Sequence, residues 1–241
     1  MRGNRYDLRS IIAAICLFAV VVADLIYGAV TGREFLVSWL GLLFAALAII
    51  ALFFDRIRKF SLSLQEGVAV ETQEAQAKAS ANLADANASK KGEPGSAEEA
   101  ARVVTETITP ETLRRAEGAT VLWVDDNPDN NRFERKALEA VGLRFVLSTS
   151  TEDALKVIDE QNFDLIISDM GRPSDRNAGY TLLDALRSRG NPTPFIIYMG
   201  RSTPDLRAEA GNKGAQGLTD RPNELFQFVL STIYNRSGSR R

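Results

Sequence analysis

An α/β fold, a five-stranded parallel sheet with helices on both faces, is what the last 120 or so residues of this chain predict. Two observations carry that expectation. Short apolar runs alternate with stretches of helical period, five times over, between Thr120 and Ile233. The apolar runs are continuous instead of alternating with polar residues, as for strands covered on both faces.

Each element follows from its own residues. Val121-Leu122-Trp123-Val124 is the first strand and ends in the acidic pair Asp125-Asp126. Asn130 to Ala140 has helical period, with Phe133, Ala137 and Leu138 on one side, and Gly142 closes it. Phe145-Val146-Leu147 is the second strand, and Thr151 to Glu160 the second helix, with Ala154, Leu155 and Ile158 inward. The third strand lies within Asp164 to Ser168 and runs into Asp169. Tyr180 to Arg187 is helical through Leu182, Leu183 and Leu186, and Phe195-Ile196-Ile197-Tyr198 is the fourth strand. Thr203-Pro204-Asp205 opens a weakly apolar helix over Leu206 to Ala210. Gly217-Leu218-Thr219 is a short fifth strand, and Pro222 begins a last helix through Leu225, Phe226, Val229, Leu230 and Ile233. Sites on such sheets lie beyond the carboxyl ends of the strands, which brings Asp125, Asp126 and Asp169 to one edge. Acids at strand ends also cap helices, and Asp129 or Asn130 suits the first one. Capping alone does not explain why three acids converge.

The rest of the chain is of different composition. Ile11 to Val30 is apolar apart from Asp24 and small residues, and Phe35 to Phe54 carries no charge. About 20 apolar residues at ~1.5 Å rise cross ~30 Å of hydrocarbon, so residues 1–60 are expected to form a transmembrane helical hairpin with spans near 11–30 and 35–54. Arg2, Arg5 and Arg9 before it, and Arg56, Arg58 and Lys59 after it, place both termini in the cytoplasm of a multi-pass inner-membrane protein. Residues 61–118 read as an Ala/Glu-rich linker, helical over Gln65 to Lys91 and broken at Gly92-Glu93-Pro94-Gly95-Ser96. It turns helical again behind the cap-like Ser96 and behind Thr109-Pro110-Glu111. With no Leu or Ile heptad, this stretch is expected to be an exposed spacer, and a helical homodimer is its second reading. Residues 119–235 make the α/β domain and 236–241 a polar tail.

Composition excludes several functions. A net charge of −2 with mixed signs and no basic stripe gives nucleic acid no field to follow. The single cysteine, Cys16, rules out an intrachain disulfide. With no histidine anywhere, His-based triads, His metal sites and phosphohistidine steps within the chain are impossible.

The acidic pair Asp125-Asp126, Asp169 after the third strand, Pro173 and Gly179 in the next loop, Gly214-Ala215 before the fifth strand and Pro222 after it occur in one order. In that order they resemble the receiver domain of two-component response regulators, a flavodoxin-like fold, over about Thr120 to Asn235. The resemblance implies Asp169 as acceptor of a phosphoryl group from a histidine kinase, or service to another membrane signalling protein. It also implies Mg²⁺ held by Asp125, Asp126 and Asp169, a hard cation suited to oxygen ligands. Against that pattern, Met199 stands where the family has Thr or Ser, Arg221 where it has Lys, and Leu218 where it has an aromatic. Arg keeps a charge without the reach of an ammonium. Gly171-Arg172 adds a guanidinium at the rim, and Ser202 and Thr203 are the hydroxyls on the right loop. Three readings stay open here: a membrane-tethered phosphoacceptor with altered switching, a non-phosphorylated receiver acting as a constitutive binding module, and a Toll/interleukin-receptor-like nucleotide hydrolase. The last needs a cleft glutamate, for which Glu134 is a poor candidate beside the apolar face.

Overall fold

The computed structural model describes residues 26–31, 36–91 and 97–239. They fall into two compact units, 1–67 and 68–241. Cys16, Asp24, the expected hairpin turn and most of the first expected span lie outside the described residues. The second expected span is only the opening of a longer helix, α1 (Leu36–Lys91), which continues through Arg56, Arg58 and Lys59 into polar sequence. Among the described residues no helix is long and apolar enough to cross a membrane. The transmembrane hairpin over 11–54 is therefore corrected, together with the inner-membrane placement and membrane contact drawn from it.

The second unit is built on a sheet in the order β2-β1-β3-β4-β5. Its strands are β1 (Thr120–Val124), β2 (Arg144–Ser148), β3 (Leu165–Ser168), β4 (Phe195–Tyr198) and β5 (Gly217–Thr219), every neighbouring pair parallel. The two-residue period of a strand divides the core between the faces. Val121, Trp123, Leu165, Ile167, Ile196 and Tyr198 point to one face, against α4 (Arg132–Glu139) and α8 (Pro222–Ser239). Leu122, Val124, Ile166, Phe195, Ile197 and Leu218 point to the other, against α5 (Thr151–Glu160), α6 (Ala178–Ser188) and α7 (Pro204–Asn212). Trp123 meets Phe145 and Tyr198 edge to face, with ring centroids 5.8 and 6.1 Å away.

From Thr72 on, one face of the Ala-rich stretch is packed, not exposed. The C-terminal part of α1, with α2 (Ala97–Thr107) and α3 (Pro110–Ala116), lays Ala79, Leu83, Ala100, Val103, Val104 and Ile108 on the Trp123 face of the core. Alanine's small side chain lets helices approach closely, so burial here needs no large apolar residues. Thr109 caps α3 by accepting the Thr112 N–H at 3.1 Å, and Pro110 takes the first turn. Gln76 spans the packing, its Nε2 donating to the Ile108 carbonyl at 2.9 Å.

Candidate functional site

Register brings the acids together. Val124 pairs with both Ser148 and Ser168, so the chains leaving β1 and β3 emerge side by side. The Asp169 N–H donates to the Val124 carbonyl at 2.9 Å, and the Asp125 N–H to that of Ser148 at 3.0 Å. Beyond this edge lies a cavity of about 330 Å³. Asp125, Asp126, Asp169 and Met199 line it, with the amides of Asn127, Asn130 and Asn131, Tyr198 and, from α1, Lys90. Gly179 is required by the close approach behind it. A Cβ there would stand 3.0 Å from the Asp169 carbonyl oxygen and 3.1 Å from Met170 Cα.

Asp125 is committed to its own chain. It is buried; Oδ1 accepts the Asn127 N–H at 2.8 Å and Oδ2 accepts Asn131 Nδ2 at 2.5 Å. The cap positions here are Asn127, for the 3₁₀ segment Pro128–Asn131, and Asn131, for α4, neither with a side-chain cap bond; Asp125 instead accepts two residues on, as an Asx turn. Burial raises its carboxyl above the ordinary value. Burial first, then the charge of Asp125, pushes the Asp169 carboxyl up to about 6. Arg172, expected at the rim, is buried beneath, with Nη1 donating to Thr151 Oγ1 at 2.7 Å and Nη2 to Ser168 Oγ at 2.6 Å. Its charge pulls the Asp169 carboxyl the other way.

The remaining sequence candidates point elsewhere. Arg221 is exposed and turned to Glu224, Nη1 to Oε1 at 3.3 Å, and does not line the cavity. Ser202 donates to Asp220 Oδ1 at 2.8 Å and accepts from Arg207, while Thr203 caps α7. Leu218 is core, 2% exposed. Glu134 is 2% exposed and accepts the Tyr198 hydroxyl at Oε1, 2.8 Å away, too enclosed for a hydrolase carboxylate. Sequence reasoning missed Lys90, Asn131 and Tyr198. Only Lys90 leaves a signal, as the next residue along the periodic buried face of α1.

Among the described residues no group of three or more His, Cys, Asp or Glu side chains is placed to hold a metal ion. Each Asp125 oxygen already accepts one chain donor. The expectation of Mg²⁺-dependent phosphoryl acceptance at Asp169 is corrected accordingly.

Comparison with known proteins agrees with this geometry as to class. Residues 121–229 match the response regulator receiver domain, and the domain is receiver-like: a flavodoxin-like, five-stranded parallel sheet. The transcriptional regulatory protein PrrA of Mycobacterium tuberculosis is 27% identical over 121 residues, 49% of this chain and 51% of that protein. The sensor histidine kinase RcsC of Escherichia coli is 26% identical over 105 residues, 44% of this chain and 11% of the kinase. The chain thus spans about half the length of one relative and about a tenth of the other. Among solved structures, the receiver domain of the Francisella response regulator 1452 has a TM-score of 0.44 at 23% identity, covering 50% of this chain and 99% of that one. The chemotaxis response regulator CheY4 of Vibrio cholerae has a TM-score of 0.42 at 25% identity, covering 48% and 98%.

Proposed function

We propose that this chain is a divergent receiver-like signalling protein that works as a constitutive protein-binding module, without a phosphorylation switch. One observation carries the reading: neither group that would read a phosphoryl on Asp169 is there. Met199 lines the cavity with a thioether, which has no hydrogen to donate. Arg221 is turned outward onto Glu224. The nearby hydroxyls are engaged, Ser202 with Asp220 and Thr203 with the start of α7. Leu218, buried in the core, stands where the family has its aromatic.

The partner class is a histidine-kinase-type signalling protein, the activity named for the relative RcsC. The binding face runs from Met199 to α8. A radiolabelled, autophosphorylated two-component histidine kinase, mixed with the full chain, tests both halves. The expected result is a complex on size exclusion in which all label stays on the kinase, formed equally by wild type and Asp169→Asn. Label moving to wild type but not to Asp169→Asn overturns the constitutive reading, and no complex overturns the partner class.

A further inference from the structure

The face that α1 packs on the domain recurs every three or four residues: Thr72, Ala75, Ala79, Leu83 and Ala86 are all buried. The next residue in that series is Lys90, and Asn87 beside it donates from Nδ2 to Asn223 Oδ1 at 2.8 Å, fastening this end of the helix to the start of α8. The Lys90 ammonium lies 4.8 Å from the centre of the Tyr198 ring. It is the one positive charge among the residues lining the acidic cavity. Behind the ring, Glu134 is buried with Oε1 taken by Tyr198 and Oε2 without a partner. Carboxylates gathered this closely, with Asp125 and Glu134 buried, need a compensating charge. Arg172 supplies part of it from beneath, but its Nη atoms are fixed on Thr151 and Ser168. Arg221 supplies none to the cavity wall.

We propose that Lys90 is the built-in cation of the acidic cavity: its ammonium, carried in by α1 and seated over Tyr198, offsets the buried carboxylates Asp125 and Glu134 and latches the end of α1 across the carboxyl edge of the sheet. In support, burial raises the carboxyls of both Asp125 and Glu134, and the Lys90 charge acts to lower both.

Hydrogen exchange by mass spectrometry on the full chain tests the latch, and no partner protein enters the experiment. Lys90→Met keeps the apolar stem and removes the charge. The amides of 83–91 are expected to exchange about fivefold or more faster, with β1, β3 and β4 unchanged. Lys90→Arg, a cation equally able to sit over the ring, restores protection. Asp125→Asn speeds the same amides, and it is tolerated because Asn131 Oδ1, unpartnered now, turns to accept the new amide N–H. If both residues act through one contact, the double variant exchanges no faster than Lys90→Met alone. Unchanged exchange in Lys90→Met, failure of Lys90→Arg to restore it, or additive effects overturn the proposal and leave Lys90 as a surface residue of α1.

Discussion

Folding holds the Asp169 proton more tightly than the unfolded chain does, since its carboxyl rises from 3.8 to about 6 through burial and the charge of Asp125. The native state is therefore favoured by this group at low pH, and stability falls as pH rises between about 4 and 6. Asp169→Asn is expected to remove that fall. At pH 8 it should stabilise the chain by about 1 kcal/mol, a full shift of this size being discounted for partial exposure to solvent. Urea titrations at pH 4.5 and 8, wild type against variant, check both sign and size; a variant no more stable at pH 8 contradicts it. A second residue prediction concerns the Glu134–Tyr198 pair. Tyr198→Phe removes the O–H that Glu134 Oε1 accepts, and Oε2 already lacks a partner. Losing this side-chain donor at a buried carboxylate costs about 1–3 kcal/mol, more if charged. Glu134→Gln in the same background should recover part of that loss in thermal melts, because a neutral amide is cheaper to bury than a carboxylate.

At the scale of elements, what was legible followed from pattern strength. Strands β4 and β5 and helix α5 keep the bounds their residues predict, because a continuous apolar run or an i, i+3, i+4 face behind a Ser cap admits one reading. The convergence of Asp125, Asp126 and Asp169 was legible for the same reason, as strand ends in a parallel sheet. What the acids bond to was not. That Asp125 turns back onto Asn127 and Asn131, that Arg172 dives beneath the floor, and that Arg221 swings to Glu224 depend on rotamers and loop paths that no spacing encodes. The Ala-rich stretch misled for a different reason. The apolar part of its buried face is three alanines and one leucine, a weak hydrophobic signal that becomes decisive only when a complementary surface lies against it. Leu83→Ala tests that packing. Leu83 is 1% exposed in the Trp123-side core, so its truncation should cost about 2–5 kcal/mol, as for an ordinary core leucine. A loss below about 0.5 kcal/mol, the range of surface changes, would return the helix to the role of a spacer.

For the second unit taken whole, the question is whether 68–116 and the α/β domain unfold together. Ala79 and Leu83 share one contiguous cluster with Val103, Trp123, Leu138 and Phe226, so the helices ahead of β1 form part of the same core. Gln76 to Ile108, Arg115 to the Tyr234 carbonyl and Asn87 to Asn223 tie distant parts of the sequence across that cluster. A core shared in this way gives one cooperative transition. Trp123, 1% exposed between Phe145 and Tyr198, reports the sheet. In a Trp39→Phe background its fluorescence is free of the other tryptophan. Under rising urea, the Trp123 transition and the loss of amide protection over 72–86 should share one midpoint, while 87–91, held by Asn223 and Lys90, opens locally at lower urea. Protection of 72–86 lost well before the Trp123 transition would show that the preceding helices are a separate layer. In that case the Trp123 face would be exposed on their release, and the receiver-like domain would have an apolar surface that the intact chain keeps covered.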